Sequence, residues 1–380
     1  MIKSNCFLTL GFLFLNLIYA FSQQTIRSSI LHDGLTRTFS FYVPANYTLK
    51  KPVALVFNLH GYGSNNDQQE FYGDFRKISD TAGFIVVHPN GTLFPQSNQS
   101  FWNVGLVGNS NVDDVGFIHA LIDTLSKAYS IDPERIYSTG MSNGGFMSYH
   151  LACVSNRFAA IASVTGSMTL QTVSACKNAS PLPILEIHGD ADPVVDYNGS
   201  TGVSSIPSVL AYWIAKNGLN TQNLIKSNVP DINKTDGASA ELYIYPGLNE
   251  VQHYKILNGG HTWPGALIAI GTTCMDFSAS TVIWNFFNKY RKQTVNTQDL
   301  NIADFQISPN PVTNTIKITQ TEFNEGAKSI QCINQLGIAL RTITIQSSET
   351  LVDLSDLPSG IYFLVSQSQK KSNQIKFIKL

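Results

Sequence analysis

Apolar and polar positions follow two different periods along this chain. From residue 36 to about 291, short apolar runs typical of buried strands alternate with stretches of helical period. Helical period is visible at residues 71–82 and again after residue 112, where Asp113 or Asp114 would cap the helix N-terminus. Strands alternating with helices predict a mostly parallel sheet covered on both faces. The strand-like runs are RTFSFYV, PVALVFNL, GFIVVHP, RIYST, FAAIASV and PILEIHG.

The pattern changes after residue 291. The polar stretch RKQTVNTQDLN predicts a linker over residues 293–302. Beyond it, short alternating runs are separated by Gly, Pro, Asn and Ser, and no helical period interrupts them. This texture predicts a small all-β sandwich over residues 303–380, after an α/β domain over residues 23–292.

The first 22 residues have the pattern of a signal peptide. Lys3 supplies a positive charge, and residues 7–21 form an apolar run shorter than the roughly 20 residues that a membrane span needs. Ala20 and Ser22 suit the −3 and −1 positions of a cleavage site, with Gln23 as the new N-terminus. We therefore expect an exported protein with no membrane span in its mature form.

Four cysteines remain after that cleavage, and an exported protein can keep disulfides. Cys153 and Cys176 flank one strand-like segment, so we predict that these two are bridged. Cys332 lies in a different part of the chain and is predicted to be a buried free thiol.

Charge and motifs exclude several classes of function. The formal net charge is −1, which gives no electrostatic reason to expect nucleic acid as a partner. The chain has no phosphate-binding loop, no dinucleotide fingerprint and no paired metal-ligand spacing. We expect neither a metal nor a cofactor.

One serine lies between glycines at the end of an apolar run. The segment YSTGMSNGGFMSY contains the pattern G-x-S-x-G around Ser142, preceded by a strand-like run and followed by apolar residues at helical spacing. A strand, a sharp turn and a helix would project the serine hydroxyl above the sheet. Ser142 is therefore predicted to be a nucleophile, which needs an imidazole base and a carboxylate.

The base and the acid should follow this serine along the chain. His253 lies in an alternating segment and is interpreted as a strand side chain. His261, in the glycine-rich loop NGGHTWPG, is the predicted base. The acid is expected in PILEIHGDADPVVDY, where a strand ends, and spacing does not separate its three aspartates, Asp190, Asp192 and Asp196.

An oxyanion hole requires two backbone donors. The first predicted donor is the N–H of Asn143, directly after the nucleophile. The second is expected in the loop NLHGYGSN after an early strand, from Tyr62 or Gly61.

Six segments spanning about residues 36–291 resemble the secreted esterases that include polyhydroxybutyrate depolymerase-like enzymes, feruloyl esterases and acetyl xylan esterases. The resemblance implies an α/β-hydrolase fold, and its pattern H-G-x-x-D-x-x-V falls on residues 188–195, which selects Asp192 as the acid. Asp196 and Tyr62 depart from the family, which often has proline and smaller residues at these positions. The matching segments are LHGYGSN, DDVGFI, GMSNGG, FAAIASVTG, HGDADPVVDYNG and GGHTWPG.

The C-terminal region from about residue 303 resembles the sorting domain of type IX secretion substrates. The segments SPNPV, DLSDLPSGIYFL and IKFIKL carry this resemblance. It implies the type IX secretion machinery as a partner and an extracellular or cell-surface location. A carbohydrate-binding β-sandwich is the alternative, but the region has few aromatic residues to form a sugar-binding platform.

The leading functional hypothesis is a secreted serine carboxylesterase that acts through an acyl-enzyme. The alternatives are a serine exopeptidase of the same fold and a surface-binding protein without activity. Tyr62, Trp102 and Trp263 are predicted to line an aromatic-accepting cleft, with core packing as the alternative for Trp102. Such a cleft would suit polymer-linked or aromatic esters: polyhydroxybutyrate, polyethylene terephthalate, or feruloyl and acetyl esters of xylan.

Overall fold

The computed structural model describes residues 24–106, 108, 110–292, 305–320, 328–334, 339–345, 347–367 and 372–380. The predicted signal peptide and linker lie outside these residues. The chain divides between residues 293 and 294 into two compact units.

A large twisted sheet forms the centre of the first unit. Among the described residues its ten strands run in the order β1-β2-β4-β3-β7-β8-β9-β12-β11-β10. The six strands from β4 to β12 in that order are parallel, and the two strands at each edge pair antiparallel. The strands are β1 (Gln24–His32), β2 (Leu35–Val43), β3 (Val53–Leu59), β4 (Phe84–Pro89), β7 (Ile131–Gly140), β8 (Ala160–Val164), β9 (Ile184–Gly189), β10 (Ile225–Asn228), β11 (Ser239–Tyr245) and β12 (Val251–Leu257), with a separate hairpin of β5 (Thr92–Phe94) and β6 (Gln99–Phe101).

Helices cover both faces of this sheet, as the sequence predicts. The helical period at residues 71–82 corresponds to two short helices, because Gly73 ends the first one. Asp113 caps the third helix by accepting the backbone N–H of Gly116 at 2.8 Å. The helices are α1 (Asn66–Tyr72), α2 (Arg76–Ala82), α3 (Asp114–Ala128), α4 (Asn143–Val154), α5 (Leu170–Ala175), α6 (Ile206–Lys216) and α7 (Ala279–Phe287).

Two hydrophobic clusters lie on opposite faces of the sheet. Successive side chains of a strand point to opposite faces, so a strand with a continuous apolar run contributes side chains to both clusters. In β3, Leu55 and Phe57 pack with α3, α4 and α6, whereas Val56 packs with α7 on the other side. The central strands are therefore buried on both faces, and the polar ends of β7 and β9 are held in a rigid frame.

The predicted disulfide is confirmed, since Cys153 and Cys176 are bridged. The bridge joins the C-terminal end of α4 to the turn that follows α5. Cys332 is a free, buried thiol, as predicted, and Cys274 is also free and buried.

The second unit contains two antiparallel sheets with one common hydrophobic cluster. The predicted alternating runs form strands, and a further strand, β17, was not expected from the sequence. Phe305 and Ile316 of one sheet pack in the same cluster as Cys332 and Leu364 of the other. The sheets are β13 (Phe305–Ser308), β14 (Thr315–Gln320) and β17 (Glu349–Asp353), and β15 (Lys328–Asn334), β16 (Ala339–Ile345), β18 (Gly360–Gln367) and β19 (Ser372–Lys379).

Within the described residues, no helix has the length and apolar character needed to cross a membrane.

Candidate active site

Ser142 lies on a sharp turn between the end of β7 and the start of α4. Its φ is +54°, in the left-handed region that a non-glycine residue seldom occupies. Such a conformation costs about 1–3 kcal/mol and persists only when the surrounding structure fixes it. Here the N–H of Ser142 donates to the Val164 carbonyl at 2.8 Å, and the N–H of Met141 donates to the Leu59 carbonyl at 3.1 Å. The backbones of two neighbouring strands thus hold the turn.

Glycine is required two residues before and two residues after the serine because backbone atoms approach too closely for a side chain. A Cβ on Gly144 would lie 2.1 Å from the Leu59 carbonyl oxygen, and a Cβ on Gly140 would lie 2.6 Å from the same atom. These contacts are with main-chain atoms, which cannot rotate away. The G-x-S-x-G spacing is therefore explained by the packing of α4 against the end of β3.

Asp192 and His261 meet at the carboxyl ends of their strands. The Nδ1 atom of His261 lies 2.7 Å from Oδ2 of Asp192. Because a carboxylate only accepts, Nδ1 carries the proton, which leaves Nε2 as the basic nitrogen. The His261 side chain is 17% exposed and the Asp192 carboxylate is fully buried. The pair therefore combines an accessible base with a shielded acid.

Backbone donors keep the Asp192 carboxylate charged. Its Oδ1 accepts the N–H groups of Val194 and Val195 at 2.8 and 2.9 Å. Burial by itself would raise the pKa of Asp192, but the hydrogen bond from His261 and these two N–H groups outweigh it, and the net pKa is lowered.

The two competing aspartates are engaged elsewhere. Asp190 accepts the N–H of Asn258 at 2.7 Å and pairs with Lys255 at 3.3 Å. Asp196 accepts the N–H of Asn198 at 2.8 Å within its own turn. The structure thus brings Asp192, and neither neighbour, to His261.

Asn143 is the first residue of α4, so the hydrogen-bond ladder of the helix leaves its backbone N–H unpaired. Both polar atoms of its side chain form hydrogen bonds with the backbone of Trp102. Oδ1 accepts the backbone N–H of Trp102 at 2.6 Å, and Nδ2 donates to the Trp102 carbonyl at 3.3 Å. This clamp fixes the first turn of the helix next to Ser142.

His60 determines how the loop after β3 presents its backbone. Its Nε2 accepts the N–H of Gly91 at 2.9 Å, so Nδ1 carries the ring proton and donates to the Gly61 carbonyl at 2.7 Å. Burial lowers the pKa of His60 to about 4, which keeps the ring neutral. The C=O and N–H of a trans peptide point in opposite directions. The N–H of Tyr62 therefore points away from the His60 ring.

The prediction that Trp102 lines a cleft is wrong, and the alternative, packing in the core, is confirmed. Its side chain is completely buried, and its indole N–H donates to the His60 carbonyl at 2.9 Å. Trp102 thus contacts both elements that carry predicted oxyanion donors, the loop at residues 60–62 and Asn143. No local pattern predicts this role, because Trp102 lies 42 and 41 residues from these two partners.

The prediction that Trp263 lines the cleft is wrong, because its side chain is only 1% exposed. Its ring packs edge-on against Phe75, and its indole N–H donates to Ser280 Oγ at 3.2 Å. A large apolar ring beside the base is more stable in the core than in solvent. Tyr62 is 40% exposed, and its hydroxyl lies 2.6 Å from Ser97 Oγ. Of the three predicted cleft residues, only Tyr62 is accessible.

Comparisons with known proteins match two separate parts of the chain to two families. Residues 47–211 match the phospholipase/carboxylesterase family, a range that includes Ser142 and Asp192 and ends before His261. Residues 306–380 match the secretion system C-terminal sorting domain.

Two curated relatives are esterases. The chain is 26% identical over 243 residues to a bifunctional acetylxylan esterase/xylanase from Neocallimastix patriciarum, covering 63% of this chain and 33% of that protein. It is 26% identical over 260 residues to feruloyl esterase C from Emericella nidulans, covering 66% of this chain and 83% of the relative. The chain thus spans about a third of the first relative and most of the second.

Among solved structures, an acetyl xylan esterase from Aspergillus awamori is similar with a TM-score of 0.49 and 18% identity, covering 62% of this chain and 94% of that one.

The central sheet, the serine turn and the sequence matches agree on one assignment. The first unit therefore has the α/β-hydrolase fold and is similar to serine esterases, and the C-terminal region matches a sorting domain.

Proposed function

We propose that Ser142, His261 and Asp192 form the catalytic triad of a secreted carboxylic ester hydrolase. The observation that carries this proposal is the 2.7 Å contact between His261 and Asp192, in a chain whose Ser142 lies on a constrained turn between strand and helix. The hydrogen bond fixes the tautomer in which Nε2 is the base, and a serine hydroxyl needs such a base to become nucleophilic.

Acylation begins when Ser142 Oγ attacks the ester carbonyl carbon and His261 Nε2 takes the hydroxyl proton. Negative charge develops on the carbonyl oxygen, and the N–H groups of Asn143 and Tyr62 stabilise it. Asp192 stabilises the imidazolium that forms. The C–O bond to the alcohol then breaks as His261 returns the proton to the leaving oxygen.

Deacylation repeats the sequence with water as the nucleophile. His261 removes a proton from water, the hydroxide attacks the acyl carbon, and the same two N–H groups stabilise the second oxyanion. The acid is released and Ser142 recovers its proton.

The proposed substrates are polymer-linked or aromatic esters. Feruloyl and acetyl esters of xylan are supported by the names of the relatives. Aliphatic or aromatic polyesters, such as polyhydroxybutyrate or polyethylene terephthalate, are supported by an apolar loop that follows His261. Its residues Leu267, Ile268 and Ile270 are 69%, 55% and 59% exposed.

Two backbone hydrogen bonds at the ends of this apolar loop hold it next to the segment that carries His261. The N–H of Gly265 donates to the Cys274 carbonyl at 2.9 Å, and the N–H of Gly260, next to His261, donates to the Thr272 carbonyl at 3.0 Å. An apolar surface fixed in this way suits contact with an apolar ester.

A substrate panel tests the assignment. Feruloylated xylan, acetylated xylan, polyhydroxybutyrate, an aromatic polyester and aminoacyl anilides are compared for the wild type and for a variant with Leu267, Ile268 and Ile270 replaced by serine. We expect ester hydrolysis, a selective loss on the apolar polymers in the variant, and unchanged turnover of a short-chain ester. Faster cleavage of the anilides than of every ester would contradict the proposal.

We further propose that the protein is secreted in two steps. The N-terminal 22 residues direct it across the inner membrane, and the sorting domain at residues 306–380 directs it through the type IX machinery to the cell surface or the medium. Export of a polymer-degrading esterase is consistent with substrates too large to enter the cell.

A further inference from the structure

A second histidine and carboxylate pair lies behind Asp192, fully buried. Glu186 and His188 are two residues apart on β9, so both side chains point to the same face of the sheet. Oε1 of Glu186 lies 3.0 Å from Nδ1 of His188, and neither side chain is exposed. On its other side, Nε2 of His188 lies 3.5 Å from Oδ2 of Asp192. That oxygen is the one that accepts the hydrogen bond from His261.

The partners of His188 define where its protons are. Nε2 lies 2.8 Å from the Val195 carbonyl oxygen, which only accepts, so Nε2 carries a proton. Nδ1 faces a carboxylate whose other oxygen accepts the hydroxyl of Tyr149 at 2.7 Å. Burial lowers the pKa of His188, but its hydrogen bond and charge interaction with Glu186 outweigh burial, and the net pKa is raised. Burial also raises the pKa of Glu186, so one proton lies in the hydrogen bond between Glu186 Oε1 and His188 Nδ1.

His188 also holds the segment that positions Asp192. Val195 donates its N–H to Asp192 Oδ1 and receives the Nε2–H of His188 on its carbonyl. A single residue thus connects His188 to the carboxylate through both sides of its backbone. Movement of the His188 ring would move the donors that fix Asp192.

We propose that the Glu186–His188 pair is a positioning unit for the triad acid, with the positive imidazolium of His188 facing Asp192. This inference rests on the proposed function, because it assigns to the pair an effect on the base His261. A positive charge behind Asp192 offsets part of the carboxylate's field at His261. The His261 imidazolium is thereby less stable, and the base is free of its proton at lower pH than it would be otherwise.

Other groups that face the pair do not cancel this effect. The ring of His253 bonds to the Glu186 carbonyl and the Tyr197 hydroxyl. Burial lowers the pKa of His253 to about 3, so the ring stays neutral. The charge of Lys255 is paired with Asp190 at 3.3 Å. The titratable groups around the pair, including Asp192 itself, are Tyr149, Asp190, Asp192, Tyr197, His253 and Lys255.

The test is the pH dependence of kcat/KM, whose acid limb reports the base of the free enzyme. Glu186→Gln keeps the size of the side chain, and its amide oxygen can still accept the Tyr149 hydroxyl. Its NH2 group donates to Nδ1 of His188, which leaves His188 neutral. His188→Gln keeps an N–H donor without the charge. In both variants we expect the acid limb to move to higher pH by about one to two units, from the Coulomb interaction at an effective dielectric constant near 20 between His261 and a charge directly behind the Asp192 carboxylate.

His253→Gln is the matched control. His253 is as buried as His188, and it contacts the Glu186 carbonyl at 3.1 Å and the Tyr197 hydroxyl at 3.0 Å, on the strand next to β9. We expect this variant to lose stability without moving the acid limb. An acid limb that stays in place in both Glu186→Gln and His188→Gln, with turnover reduced equally at every pH, would overturn the proposal.

A second measurement needs neither turnover nor a variant at the pair. Nitrogen NMR of labelled histidine in the Ser142→Ala protein should show both ring nitrogens of His188 protonated at pH 7, and a single protonated nitrogen would overturn the proposal. Failure here would leave the triad intact, whereas full activity in Ser142→Ala would reject the proposed function itself.

Discussion

Replacing Trp102 by phenylalanine tests whether the oxyanion donors are held from behind. The substitution keeps a buried aromatic ring and removes the indole N–H that donates to the His60 carbonyl at 2.9 Å. A buried carbonyl that loses its donor costs about 1–3 kcal/mol, to which a small packing loss is added. The loop that presents the Tyr62 N–H then has one fewer restraint.

The kinetic effect should appear in kcat. Loss of a complete oxyanion donor costs about 10²–10³ in kcat, so misaiming one donor is expected to cost roughly 10- to 100-fold. KM for a small ester should change little, because the ground-state carbonyl depends less on these donors than the transition state does. Steady-state kinetics on a chromogenic short-chain ester, with thermal unfolding measured in parallel, provide both numbers.

Trp213→Phe is the matched control for this experiment. Trp213 is also completely buried, and its indole N–H has no hydrogen-bond partner among the described residues. Its replacement removes an unpaired polar group and should leave kcat unchanged. Wild-type kcat in Trp102→Phe, or an equal loss in both variants in proportion to their loss of stability, would show that Trp102 does not hold the oxyanion donors.

Three other changes have defined outcomes. Asp192→Asn should lower kcat by about 10⁴-fold and Asp196→Asn by less than tenfold, measured on the same ester, and equal losses would contradict the choice of acid. Reduction of the bridge between Cys153 and Cys176 should lower the free energy of unfolding by about 3 kcal/mol in denaturant titration, and an unchanged midpoint would show that the bridge does not constrain the unfolded chain. A chain ending at Lys292 should hydrolyse esters at nearly the full rate but remain in the periplasm of its host; its normal appearance outside the cell would show that the sorting domain is not the export signal.

The sequence predicted what depends on local pattern. Apolar runs of strand length, helical period and the glycines around Ser142 each record a constraint that acts within a few residues, such as the approach of Gly144 to Leu59. The disulfide was also predictable, because Cys153 and Cys176 flank a single segment. Asp192 was distinguished from its neighbours only by resemblance to a family, since the three aspartates share one turn.

The parts that escaped prediction depend on distant contacts. An indole can pack in the core or line a cleft, and the residues around Trp263 do not say that Phe75 will cover it. His188 was visible only as part of a motif, because its importance comes from touching Glu186 and Asp192 at once. Burial of single aromatic or polar side chains is set by tertiary packing, which the local pattern does not encode.

Covalent labelling shows which serine is the nucleophile. A fluorophosphonate is attacked by the activated serine oxygen, which forms an O–P bond as fluoride leaves, and the adduct is located by mass spectrometry of peptides. We expect one adduct per chain, on Ser142, no adduct in Ser142→Ala, and loss of ester hydrolysis in that variant by several orders of magnitude with its thermal unfolding unchanged. An adduct on another residue, or ester hydrolysis retained by Ser142→Ala, would contradict this expectation.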